Sequence, residues 1–156
     1  MPTYIDIHDK PVIFGIDHLE ETTEPTEHII VAGDFYPFIQ WIAFSPEHKS
    51  QTGMILSVQD NWYEIKHQLQ NMPIAIKIMF DTMTSGQGFS LANLLRKRYN
   101  YEGPICASKN YSEEQIFLLM QCGFDTFELD SNKDSERVQM LLKQTTASTA
   151  PISRVA

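Results

Sequence analysis

From Gly53 onward the chain alternates between short apolar runs and longer stretches whose apolar residues recur every three or four positions. Met54 to Val58, Ile74 to Phe80, Ile105 to Ala107 and Thr126 to Leu129 read as strands. Between them the spacing predicts helices. The first is capped by Asp60, runs to about Gln70, and places Trp62, Ile65 and Leu69 on one face. The second runs from about Phe89 to Tyr99, with Phe89, Ala92, Leu95 and Tyr99 aligned. A third is opened by Ser112-Glu113-Glu114-Gln115, a capping box in which a Ser hydroxyl takes the third amide and a Gln reaches back. Its residues Ile116 to Met120 are apolar nearly all round, which predicts deep burial, and Gly123 suits its left-handed end. A last helix starts at Asp134 or Ser135 and turns Val138, Leu141 and Leu142 inward.

The first 50 residues are less regular. Pro11 to Ile16 and His28 to Ala32 read as short strands, Glu20 to Glu27 as an acidic loop, and Ser45 to Thr52 as a polar loop. Phe35, Phe38, Ile39 and Ile42 are spaced as a helix face, with Pro37 in its first turn. The aromatic stripe Phe35 to Phe44 belongs either to the core or to an interface. Four successive βα units imply a parallel sheet with right-handed crossovers. The expected fold is α/β: an open, mainly parallel sheet with helices on both faces, Rossmann-like and three-layered, with a half (β/α) barrel as the alternative. A single domain over 1–145 is expected, irregular over 1–50 and regular over 53–145, with a flexible tail over 146–156.

The 156 residues suffice for one domain with a real core. No apolar run approaches the ~20 residues of a membrane span, and Met1 to Asp6 lacks the regions of a signal peptide. The expectation is a cytoplasmic protein. A net charge of −8 argues against nucleic-acid binding; the basic run Arg96-Lys97-Arg98 reads as helix-dipole complementation at a helix end. The two cysteines, Cys106 and Cys122, form no Cys-x-x-Cys pair, and the five histidines are scattered. Neither a redox dithiol nor a metal site is supported, and no cofactor motif is evident.

Ser85-Gly86-Gln87-Gly88-Phe89-Ser90, followed by Ala92-Asn93-Leu94-Leu95-Arg96, and later Gln115 and Gln121-Cys122-Gly123-Phe124-Asp125-Thr126-Phe127-Glu128-Leu129, carry a resemblance. Over Phe80 to Leu129 the chain resembles the bacterial domain-of-unknown-function 934 family. That family's pattern has an apolar strand ending in Phe, then Asp-Gly-Arg-Gly-Tyr-Ser, a helix with Ala-x-x-Leu-Arg, and later Arg-Cys-Gly-Phe-Asp-x-Phe-x-Leu. Where it has Asp, Arg and Tyr in the turn, this chain has Ser85, Gln87 and Phe89. Where it has a later Arg and Gly-Asp, this chain has Cys106 and Lys109-Asn110. The resemblance implies an association with sulfite reduction and sulfur assimilation, and transfers fold more firmly than activity.

Candidate chemistry centres on the turn after the Ile74 to Phe80 strand, at a strand carboxyl end, where open α/β sheets place ligands. Gly86 and Gly88 let backbone amides approach an anion at a helix N-terminus, and Ser85, Gln87 and Ser90 add polar groups. The same residues also serve simply as a tight turn with a Ser cap. Asp81 and Lys109 are the candidate catalytic pair, as base and anion-neutralising cation, with Asn110 beside them as a ligand contact; Asp130 and Asn132 have weaker claims on the same rim. Two functions follow. One is a non-catalytic accessory protein that contacts sulfite reductase or a related redox enzyme, with Phe35 to Phe44 as contact surface and a homo-oligomer open. The other is an oxidoreductase binding a small anion or phosphate at the strand carboxyl ends.

Overall fold

The computed structural model describes residues 3–6, 11–12, 14–18, 30–57, 72–79, 87–108, 111–129 and 135–148. The strands are β1 Thr3–Asp6, β2 Pro11–Val12, β3 Phe35–Pro37, β4 Gly53–Ser57, β5 Ile76–Met79, β6 Ile105–Ala107 and β7 Thr126–Leu129. The helices are α1 Phe38–Trp41, α2 Pro46–Gln51, α3 Gln87–Lys97, α4 Ile116–Cys122 and α5 Ser135–Ser148, with a 3-10 turn at Glu113–Gln115. All seven strands form one mixed sheet in the order β2-β1-β7-β6-β5-β4-β3. β3 through β7 are parallel and cross the sheet in chain order. β1 adds antiparallel to β7, and β2 to β1.

The register sorts the side chains onto two faces. Tyr36, Met54 and Ile76 lie side by side across β3, β4 and β5, and Ile76 lies beside Ile105. With Leu56, Ile78, Ala107, Phe127 and Ile5 they make the first face. This face packs in one core cluster with Phe38 and Trp41 of α1, Ala92 and Leu95 of α3, Ile116 and Leu119 of α4, and Val138 and Leu142 of α5. Parallel strands that never reverse order send right-handed crossovers to the same side, and these helices are there. The helix expected over Asp60 to Gln70 lies outside the described residues.

The second face carries Phe35, Ile55, Lys77, Cys106, Thr126, Glu128 and Tyr4, each beside the next in register or two residues along its strand. β1 and β3 stand five strand spacings apart in the sheet order, ~24 Å in a flat sheet. Yet the Tyr4 and Phe35 ring centroids are 6.4 Å apart, and the Phe14 ring lies 5.1 Å from each. The sheet therefore curls strongly, with the second face inside the curl. Among the described strands the order ends at β2 and β3. Residues 14–18 run along the β3 edge: Gly15 N donates to Gly33 O, Phe35 N to Ile16 O and His18 N to Phe35 O, each at 2.9 Å.

Several sequence expectations change. Phe35 to Pro37 is a strand, and the helix begins only at Phe38. Phe35 and Tyr36 are both buried, on opposite faces, and a strand buried on both sides carries no alternation to distinguish it from a helix. The expected loop at Ser45 to Thr52 holds α2, started by the Ser45 side chain accepting from His48 N, with Pro46 at the first position. Within the expected strand at His28 to Ala32, Ile30 to Ala32 are irregular and lead into a turn at Gly33. α5 continues to Ser148, past the point where a frayed tail was expected. The capping box at Ser112 forms, with Ser112 N donating to Gln115 Oε1 at 3.1 Å, and Gly123 ends α4 at φ 113°.

Candidate functional site

The expected turn site is not assembled by the described residues. Asp81, Ser85, Gly86, Lys109, Asn110, Asp130 and Asn132 lie outside them. Gln87 opens α3, Gly88 is buried in its first turn and Ser90 is exposed. The described residues place their chemistry elsewhere.

The centre of the curl is a buried charge cluster. β5 projects Lys77 inward, where the ammonium donates to both carboxylate oxygens of Asp17 at 2.8 Å, to Glu128 Oε2 at 2.9 Å and to the Tyr4 hydroxyl. The Tyr4 and Phe35 rings flank it at 4.6 and 4.7 Å from their centroids, within cation–π range. An ammonium has three hydrogens to donate, and each finds a partner. Side-chain exposure rises from 1% at Lys77 through 7% at Glu128 to 19% at Asp17, so Asp17 marks the mouth. Burial works against the ammonium. Against burial stand the Cys106 sulfur, then the Asp17 carboxylate and the Tyr4 hydroxyl, and with all of them Lys77 lies above its ordinary pKa. The Cys106 thiol, next to Lys77 in register, would add to this only as a thiolate, and burial pushes its pKa well up. Burial also raises Tyr4. The cluster at neutral pH is thus a charged lysine, a neutral phenol and a neutral thiol. A lysine kept protonated is an anion anchor rather than a nucleophile.

Sequence reasoning missed this cluster, although a signal was there. Ile76-Lys77-Ile78 and Phe127-Glu128-Leu129 each set a charge inside a run expected to be buried in a parallel sheet. Two opposite charges in such strands need a common partner.

A second polar cluster lies at the other rim, at the amino ends of β6 and β7. Arg96 donates to Gly123 O at 3.0 Å, to Tyr101 O and Gly103 O at 2.7 Å each, and to Asp125 Oδ2 at 3.1 Å. Asp125 Oδ1 in turn accepts from Ile105 N at 2.9 Å. A Cβ on Gly123 would sit 2.6 Å from Arg96 Cγ, so the glycine gives room as well as its left-handed φ. Arg96 is therefore a tie between α3, the turn after α4 and the start of β6, beyond the helix-dipole reading. It joins the two segments, Ala92 to Arg96 and Gln121 to Leu129, on which the family resemblance rests. A third pair, His18 Nε2 and Asp34 Oδ2 at 2.8 Å, holds residues 14–18 to the β3 edge, with the His18 ring stacked on Tyr36 at 4.4 Å. Gly15 makes room for it, since a Cβ there would run into the Asp34 carboxylate.

The outer surface of the helical layer departs from expectation. α4 was expected to be buried all round, yet Phe117 (45%) and Leu118 are exposed, as is Met140 on α5. Both helices follow parallel strands and so run side by side in the same direction. An Arg137–Glu113 ion pair at 2.9 Å links α5 to the 3-10 turn before α4. Glu113, Glu114 and Glu136 lie at the amino end of this apolar surface. Of the aromatic stripe expected as core or interface, Phe35, Tyr36, Phe38 and Trp41 are buried, while Ile39 is 64% exposed.

Among the described residues no group of three His, Cys, Asp or Glu could hold a metal, and no helix is long and apolar enough to cross a membrane. Fold and side-chain arrangement together define a mostly parallel α/β protein with a charged interior and three exposed apolar side chains, Phe117, Leu118 and Met140, on its outer helices. Residues 53–150 match a family described as bacterial protein of unknown function, DUF934, and the chain belongs to that family. The match takes in Lys77, Cys106 and Glu128, while Tyr4 and Asp17 lie before it. Neither curated proteins nor solved structures give a match.

Proposed function

We propose that this protein is an accessory factor of sulfur assimilation that acts by contact with sulfite reductase or a related redox enzyme, rather than by catalysis. The observation that carries the reading is the outer face of α4 and α5. Phe117, Leu118 and Met140 stand exposed there, with acidic residues at one end. Contiguous exposed apolar surface on a folded domain marks an interaction site. The association with sulfite reduction comes from the family resemblance alone. The partner surface that suits this face is apolar with Lys or Arg at its rim. For the fold we favour a singly wound arrangement akin to a half (β/α) barrel over the Rossmann-like one. The unreversed strand order and the curl support that choice.

The test is co-purification at physiological salt from cells that assimilate sulfate. The wild-type chain is expected to recover sulfite reductase or a redox enzyme of the same route. Phe117→Asp should abolish recovery while the chain still folds, as read by circular dichroism and a cooperative thermal transition. Recovery of no such enzyme by the wild-type chain, or equal recovery by Phe117→Asp, would sink the reading.

A further inference from the structure

We propose that the interior of the curl is a binding site for a small oxyanion anchored on Lys77, and that the chain's own Asp17 occupies it in this structure. The shared chemistry is a carboxylate, sulfur or phosphorus oxyanion. This inference stands on the charge cluster and is independent of the contact surface on α4 and α5.

The three partners of Lys77 are not equivalent. Tyr4 and Glu128 come from β1 and β7, within the sheet, and are nearly sealed from water. Asp17 comes from residues 14–18, which run along the edge, and its side chain is the most exposed of the set. Both of its oxygens meet the Lys77 ammonium at 2.8 Å, a charge-assisted contact that a free carboxylate can also make. Charge points the same way. Lys77 faces two carboxylates, so removing the one at the mouth leaves a neutral pair with one N–H directed outward. A monoanion in that place restores the observed arrangement.

A second polar group faces the same interior. Ser108 is 3% exposed and its hydroxyl has no hydrogen-bond partner among the described residues. Ser108 N continues the ladder by donating to Ile78 O at 3.1 Å. Cys106 pairs with Thr126 and Ala107 with Phe127, so the next step sets Ser108 opposite Glu128, on the inner face. A buried hydroxyl without a partner carries a desolvation penalty of ~1–3 kcal/mol, which a ligand oxygen would relieve. The Tyr4 and Phe35 rings wall the position and keep bulk water from screening it. Asp17 acts as a tethered competitor. A free oxyanion enters only when residues 14–18 give way, and the His18–Asp34 pair holds that segment down.

The experiment is a thermal-shift titration of the full chain with acetate, sulfite and phosphate, against chloride at matched ionic strength. It compares wild type, Asp17→Ala, and the triple variant D17A/K77M/E128Q, which leaves no unpaired charge. The expected result is a saturable rise in the Tm of Asp17→Ala with an oxyanion. Half-effect should come at a concentration at least ~10-fold lower than in wild type, with the triple variant responding only as it does to chloride. Adding Ser108→Ala to Asp17→Ala should weaken the response several-fold. A response to acetate alone assigns a carboxylate ligand; a response to sulfite or phosphate alone assigns that oxyanion. The proposal is overturned by equal responses of wild type and Asp17→Ala, by an equal response of the triple variant, or by none above chloride. Should Asp17→Ala fail to fold, Asp17→Asn keeps the side-chain volume and is judged by the same results.

Discussion

Replacing Lys77 by Met keeps an unbranched side chain of similar reach and removes the charge together with the N–H donors to Tyr4, Asp17 and Glu128. Lys77 is 1% exposed, Glu128 7% and Asp17 19%. In the variant Asp17 can turn to water, but Glu128 stays buried without its cation. Breaking one side of a buried pair costs about 3–5 kcal/mol, against a total stability of ~5–15 kcal/mol for an ordinary domain. Burial decides this magnitude, since distance does not. The Arg137–Glu113 pair is as short, at 2.9 Å, but Arg137 is 61% exposed, and Arg137→Met should cost less than ~1 kcal/mol. The variant K77M/D17N/E128Q has no charge left to strand and should recover most of the loss. Urea unfolding at pH 7, followed by circular dichroism with the slope compared between variants, measures each value. A Lys77→Met chain within ~1 kcal/mol of wild type would refute the reasoning, as would a triple variant no more stable than the single one.

Arg96→Ala removes the Arg96 donors from three carbonyls and from Asp125 Oδ2. It should cost ~3 kcal/mol, or about 6–12 °C in Tm, and a loss under 2 °C would contradict it. Gly123→Ala at φ 113° should cost at least ~1 kcal/mol in the same assay, because the new Cβ is both strained and pressed against Arg96; an unchanged Tm would argue against the tie. Alkali should weaken the fold. Cys106, Tyr4, Tyr101 and Lys77 are all raised above ordinary values of 9.0, 10.0, 10.0 and 10.5. Above about pH 9 the unfolded chain has released protons that the native chain still holds, so stability falls as pH rises. The urea midpoint should be flat from pH 7 to about 8.5 and drop beyond it, with Cys106→Ala moving the onset toward pH 10; a midpoint that holds through pH 10.5 would exclude this.

The regular half of the chain was legible because its signals agreed. β4 to β7, the capping box at Ser112 and the Gly123 terminus combine period, cap and turn at the same positions. The region before Gly53 was harder, since Phe35, Tyr36, Phe38 and Trp41 are buried in succession through a strand and then a helix. A run that is apolar at every phase has no period to read. Burial of α4 was overestimated for the opposite reason. Its composition is apolar all round, but composition does not say that Phe117 and Leu118 stay 45% and 49% exposed. The Lys77 cluster depends on the curl that brings β1 toward β3, and curvature leaves no mark in a strand's hydrophobic pattern. The charges at Lys77 and Glu128 were the only local sign of it.

The most direct test of the contact reading is hydrogen exchange by mass spectrometry on the full chain, with and without purified sulfite reductase. The account predicts slowed exchange confined to residues 113–121 and 136–144, absent in Phe117→Asp. Protection elsewhere, or none at saturating enzyme, would contradict it.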